Sequence, residues 1–187
     1  TSVSAVFLKN GLKVFDVEEL PTHGGSLRVF AQRLDGNHDT SPSVKAMLEV
    51  ESKAGLKTVD FYRKFQDGAN NMKDDLLLFL IKAKRSGKKV GAYGAAAKGN
   101  TLLNFAGVRS DLLPWVADQN PAKQGKFLPG SRVPIVSEQK ICDEKPDYVL
   151  ILPWNLVGEI TEQLSYIKEW GGKFFTAVPT LTERKPV

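Results

Sequence analysis

The stretch Gly91-Ala92-Tyr93-Gly94-Ala95-Ala96-Ala97-Lys98-Gly99-Asn100-Thr101 holds the residues best suited to chemistry in this chain. Its small side chains let a ligand approach the backbone. Free N–H groups at a helix start attract phosphate, and Lys98 adds a point charge. The loop matches neither standard phosphate fingerprint. A Gly-x-x-x-x-Gly-Lys loop needs lysine directly after Gly99, where Asn100 stands, and the Gly91–Gly94 spacing is wrong for Gly-x-Gly-x-x-Gly. Asp118 lies 19 residues beyond Gly99, a spacing like that of the ribose-binding acid in nucleotide-binding folds. The loop is therefore read as a nucleotide site, with tight helix–strand packing as the competing account.

Residues 119–132 form a loop rich in lysine and glycine. Lys123, Lys126 and Arg132 in it could pair with a diphosphate, or the loop could simply be a solvated basic segment. Trp154-Asn155 follows an apolar run and falls at the same rim if that run is a strand. Trp154 would serve equally as core, and Asn155 equally as a helix cap. His23, between Thr22 and Gly24-Gly25, is either a site residue or a plain loop histidine. Two histidines and one cysteine, in unlike surroundings, predict no metal site. No Gly-x-Ser-x-Gly elbow or zincin motif is present, and no catalytic residue is assigned.

The elements that must carry these residues fall into three zones. In residues 1–36, Val3, Val6, Phe7 and Leu8 predict a short helix ending at Asn10-Gly11. Two strands follow, one from Leu12 closing at Pro21 and one over 26–33, joined through Thr22-His23-Gly24-Gly25 as a hairpin. Residues 37–86 read as helical. Ser41-Pro42 starts one helix and Ala54-Gly55 ends it. Thr58 starts a longer one with Phe61, Phe65, Met72, Leu76 and Leu80 on one stripe, weakened at Gly68. Its basic end (Lys82, Lys84, Arg85, Lys88, Lys89) suits the negative pole of a helix dipole, with a nucleic-acid patch as the alternative. Residues 87–187 alternate: strands over 90–93, 112–117, 147–152 and 173–178, helices over 95–106 and 156–167. That alternation predicts an α/β fold, a Rossmann-like parallel sheet with flanking helices, preceded by a helical arm and a short β-hairpin remnant.

Composition sets the outer bounds. Of 187 residues, 42% are apolar and 25% charged, which excludes a disordered chain. The longest apolar run, residues 76–81, is too short for a membrane span, and no leader opens the chain. A cytoplasmic protein with no membrane partner is expected. The lone Cys142 excludes an internal disulfide. The net charge of +5 favours anionic partners. The chain opens with Thr1 while Met47 and Met72 are internal, which predicts a piece cut from something longer.

Several strings, in order, resemble the C-terminal domain of SAM-dependent sugar C-methyltransferases. They are Thr22-His23-Gly24-Gly25-Ser26-Leu27-Arg28, Tyr93 through Asn104, Asp118 through Gly125, Leu128-Pro129-Gly130-Ser131 with Pro134-Ile135, and Pro153-Trp154-Asn155. The resemblance implies an enzyme of three parts: a zinc-binding N-terminal domain, an S-adenosylmethionine domain and this Rossmann-like domain. It makes residues 1–36 the end of the methyl-donor domain. The implied substrate is a nucleotide diphosphate deoxy-keto-sugar, often thymidine-linked, lying between the last two domains. A base removes the proton beside the ketone and the enolate attacks the donor methyl. The family's zinc cysteines, methyl-donor loop and Tyr-x-Glu-His motif are absent here, so this fragment is expected to be inactive alone and not to bind S-adenosylmethionine. What carries over is the sugar-nucleotide side: Tyr93, Lys98, Asn100, Asp118, Lys123, Lys126, Arg132 and Asn155, with His23 and Arg28 facing the shared cleft. The rival readings are an NAD(P)-dependent oxidoreductase domain and a basic nucleic-acid-binding module; no nucleic-acid partner is expected on the leading reading.

Overall fold

Asn10-Gly11 ends helix α1 (Ser2–Lys9) as expected: Gly11 adopts φ 76° and the chain turns into β1 (Leu12–Leu20). The computed structural model describes residues 1–185, and the side chain of His23 lies outside the described part. β1 pairs antiparallel with β2 (Ser26–Arg33) across a 3-10 turn at Thr22–Gly24. A bulge between Val14 and Asp16 takes Phe15 out of the ladder, and Phe15 stacks on His38 with ring centroids 4.5 Å apart. Helix α2 (Pro42–Ala54) starts at the expected Ser41-Pro42 boundary and stops at Gly55 in the left-handed region. Ser41 does not cap α2 with its own side chain. Its hydroxyl and that of Ser43 donate to Asp16 Oδ1 at 2.6 and 2.7 Å, and the Val17 N–H donates to the same oxygen at 2.9 Å. These bonds, Ser41 first, hold the Asp16 carboxyl below the usual range. With α3 (Val59–Arg63), these elements make one compact unit, Thr1–Gln66.

The second unit begins at Asp67, within α4 (Phe65–Arg85). The single helix expected from Thr58 is interrupted at Lys64. Phe61 and Phe65 are exposed, and only Leu76, Leu80 and Ala83 of α4 are buried. The Tyr62 hydroxyl donates to the Leu56 carbonyl at 2.8 Å, tying α3 back to the turn before it. There follow β3 (Val90–Tyr93), α5 (Ala97–Phe105), β4 (Val116–Ala117), β5 (Ile135–Val136), α6 (Gln139–Glu144) and β6 (Tyr148–Ile151). The chain ends with α7 (Val157–Gln163), a 3-10 segment (Ser165–Trp170), β7 (Lys173–Thr176) and β8 (Thr182–Arg184). The sheet order is β5-β4-β3-β6-β7-β8; all neighbours are parallel except β8, which runs antiparallel to β7. The expected α/β fold is therefore present: a mostly parallel sheet flanked by helices, plus a small separate hairpin sheet. The strand expected over 112–117 contracts to Val116–Ala117. Pro114 has no N–H for a ladder, and the Leu113 N–H is turned back to Arg109 O at 3.0 Å.

Alternate residues of each strand feed two separate cores. Ala92, Val116, Leu150 and Leu152 join Leu76, Leu80, Leu102 and Leu103 of α4 and α5. Tyr93, Ala117, Val149, Ile151 and Phe174 join Ile141, Ile160, Leu164 and Ile167 of α6, α7 and the segment after it. Strands buried on both faces read as apolar runs, which is why residues 147–152 were visible in sequence. Among the described residues no helix is long and apolar enough to cross a membrane.

Gly91 lies against Trp115, where an added Cβ would come within 2.0 Å of the ring. Gly91→Ala is expected to lower stability by about 1–3 kcal/mol in urea unfolding. Gly158→Ala, in open space on α7, should leave it unchanged or raise it by up to about 1 kcal/mol. A second prediction concerns pH. The ionised Asp16 contributes stability that is complete above the ordinary carboxylate range and is lost as pH falls through its lowered value. Asp16→Asn should therefore be less stable than wild type near neutrality, with the gap closing on acidification.

Candidate functional site

In a parallel sheet, ligands meet the loops at the C-terminal strand ends, where strand order reverses. Here the chain runs outward from β3 to β4 and β5, then returns past β3 to β6 and β7, so the reversal lies between β3 and β6. The turns at residues 94–96 and 152–155 flank it. They meet closely: a Cβ on Gly94 (φ 87°) would come within 2.3 Å of Pro153, and one on Gly99 within 2.5 Å of Leu152. The tight-packing account of these glycines holds, because their smallness lets the β3–α5 turn lie on the end of β6.

That contact delivers Lys98 to the reversal point. Its Nζ donates to Asn155 Oδ1 and sits 5.0 Å from the centroid of the Trp154 ring. Asn155 lies in a short 3-10 turn, Trp154–Leu156, and neither caps α7 nor faces away. Lys98, Trp154 and Asn155, singled out from 57 residues apart, are brought together.

Asp118 and Lys123 form a second cluster. Asp118 is 8% exposed. Its Oδ2 accepts from the Ala95 N–H at 2.7 Å and from Lys123 Nζ at 2.9 Å, and its Oδ1 from the Asn120 N–H at 2.9 Å. Burial alone would raise this carboxyl. The hydrogen bonds from Asn120, Lys123 and Ala95, with the Lys123 charge, outweigh it and hold the group below the usual range.

Tyr93 belongs to a third. Its side chain is buried under the sheet, and its hydroxyl donates to Glu138 Oε2 at 3.1 Å and accepts from Gln163 Nε2 at 2.8 Å. Burial, with the nearby Glu138 charge, pushes the phenol up to about 12, so it stays protonated at neutral pH. Glu138 and Gln163 carried no signal in sequence, since neither sits in a motif.

The loop carrying Lys126 and Arg132 is fastened to α5. Asn104 Nδ2 donates to Pro129 O at 2.9 Å and reaches Asn100 O and Oδ1 at 2.9 and 3.2 Å, while Arg109 donates to Gly130 O. Asn104 lies one helical turn beyond Asn100, the spacing that could have flagged it. The loop holds Arg132 at φ 57°, a left-handed conformation that costs a non-glycine residue about 1–3 kcal/mol. Lys126 and Arg132 are exposed, and among the described residues neither side chain has a polar partner. In the first unit, Arg28 is exposed and paired with Glu18 at 3.0 Å. His23 falls outside the described side chains. Among the described residues no three His, Cys, Asp or Glu side chains gather as a metal site.

The family model for the C-methyltransferase C-terminal domain matches residues 21–179, a span that includes every one of these clusters. The C-methyltransferase NovU of Streptomyces niveus is 35% identical over 178 residues, 95% of this chain and 42% of that protein. The chain thus spans less than half the length of that relative. A parallel sheet with its polar groups gathered at the order reversal, and a family match over most of its length, make this chain a member of the C-methyltransferase C-terminal domain family.

Proposed function

We propose that this chain is the nucleotide-sugar-binding portion of a cytoplasmic SAM-dependent C-methyltransferase acting on a nucleotide diphosphate deoxy-keto-sugar, possibly thymidine-linked. The observation that carries the reading is the Lys98–Asn155–Trp154 cluster at the reversal between β3 and β6. An ammonium held beside an aromatic face and a carboxamide offers a cation to phosphate and a flat surface to a base or sugar. Lys126 and Arg132 on the neighbouring loop, without polar side-chain partners among the described residues, add charge for the second phosphate.

S-adenosylmethionine supplies the methyl group in the full-length enzyme. The residues here do not fit it, because the acid suited to a ribose diol, Asp118, is buried and has most of its acceptor sites taken by three protein donors. Binding and orienting the sugar nucleotide is then this chain's contribution, with the catalytic groups and the family's zinc on other parts of the protein. Residues 1–36 belong to the preceding methyl-donor domain on this reading, and the exposed Val3, Val6, Leu8 and Leu27 are the surface that would meet it.

The oxidoreductase reading is not favoured, since it needs Asp118 free for ribose. Nor is a nucleic-acid patch at the basic end of α4: Lys84, Lys88 and Lys89 pair with Asp111, Asp147 and Glu144.

Calorimetric titration tests the proposal. TDP-glucose should bind the chain, and Lys98→Met, which removes the ammonium but keeps an unbranched side chain, should weaken binding about tenfold. Tighter binding of NADH than of TDP-glucose would reverse the choice. So would no TDP-glucose binding together with an unchanged substrate KM for Lys98→Met in the intact enzyme.

A further inference from the structure

We infer that Asp118 and Lys123 are not ligand contacts but a clamp that positions the β3–α5 turn, and through it Lys98. The inference rests on the reading above that the reversal point takes a diphosphate.

The clamp grips both main-chain polar groups of Ala95. Asp118 Oδ2 accepts the Ala95 N–H at 2.7 Å, and Lys123 Nζ donates to the Ala95 carbonyl at 3.1 Å. The two side chains are joined at 2.9 Å. Asp118 is itself immobilised. Its N–H donates to Val136 O at 3.0 Å, its carbonyl accepts from Gln124 Nε2 at 2.9 Å, and Oδ1 holds Asn120. The carboxylate is thus tied to the end of β4 and the loop beyond it. Lys123 and the phenol of Tyr93 are the titratable groups that its charge acts on.

Ala95 is where α5 needs support. The N-cap residue, Ala96, has no side-chain acceptor, so the usual device for fixing a helix start is missing. Asp118 instead fixes the residue before the cap, from the end of β4. On the opposite side Pro153 and Leu152 bear on Gly94 and Gly99. The turn is held from the β4 side by charge and from the β6 side by packing. Lys98, in the first turn of α5, is left at Trp154 and Asn155. A ribose hydroxyl reaching Asp118 would find Oδ2 filled by two donors and Oδ1 already bonded to the Asn120 N–H, on a residue that is buried.

The experiment compares two ligands and two backgrounds by calorimetry. TDP-glucose carries a ribose ring; inorganic pyrophosphate does not. For a positioning residue, Asp118→Asn should weaken both by the same factor, about tenfold, and should have little further effect on Lys98→Met. Lys123→Met, which keeps the Asp118–Ala95 bond, is the second variant if Asp118→Asn fails to fold. Its effect should likewise vanish in the Lys98→Met background. The Ala95 amide proton, bonded to a carboxylate, should shift upfield in Asp118→Asn. Loss confined to TDP-glucose, or a factor that persists in full on Lys98→Met, would overturn the clamp while leaving the site intact. Wild-type chain that binds neither ligand, together with an unchanged substrate KM for Lys98→Met in the intact enzyme, would overturn the site reading and the clamp with it.

Discussion

Parallel strands cannot be joined by tight turns, and most crossovers carry a helix across one face of the sheet, although β4 reaches β5 through the loop at 118–134. In the second unit this constraint decides nearly everything else. With helices on both faces, β3 and β6 are buried on both sides, so Ala92 and Leu150 serve one core while Tyr93 and Ile151 serve the other. Apolar residues exhaust both faces. Polar groups are left to the strand ends, and the reversal between β3 and β6 opens the place where they gather.

Charges answer one another at both ends of the strands. Asp118 is bonded to Lys123, and on the opposite edge Lys88 and Lys89 meet Asp147 and Glu144. The net charge of +5 is therefore a poor guide to which cations can meet an anion. Among the described residues the Lys126 and Arg132 side chains have no polar partner, and Lys98 is held by a neutral amide and a ring, partners that a phosphate can outcompete. The left-handed Arg132 has its own support in the bonds from Asn104 and Arg109 to the carbonyls of Pro129 and Gly130 just before it in the loop.

The first unit follows a different logic. A two-stranded ribbon is marginal by itself. Here it is backed by α2, whose first turn is organised by Asp16 and two serine hydroxyls. α1 buries none of its residues, and Val3, Val6 and Leu8 remain exposed.

The sequence by itself determined the α/β class, the bounds of β2 and β3, the stop of α1, the start and stop of α2, and the location of the loops that carry the polar clusters. These rest on local physics: period-two and period-3.6 burial, helix caps, and glycine at left-handed positions. β5 and β8 escaped it because strands of two and three residues have no period to read. The break at Lys64 escaped because Phe61 and Phe65 continue the helical stripe without being buried. Only the tertiary structure decided what each polar residue does. Asp118 has the spacing of a ribose acid, but its partner Ala95 lies 23 residues away across the sheet edge. Tyr93 has the position of a ligand contact, yet it is engaged by Gln163, 70 residues on. A hydrogen bond is set by where the sheet puts its two ends, and no spacing along the chain encodes that for groups on different strands.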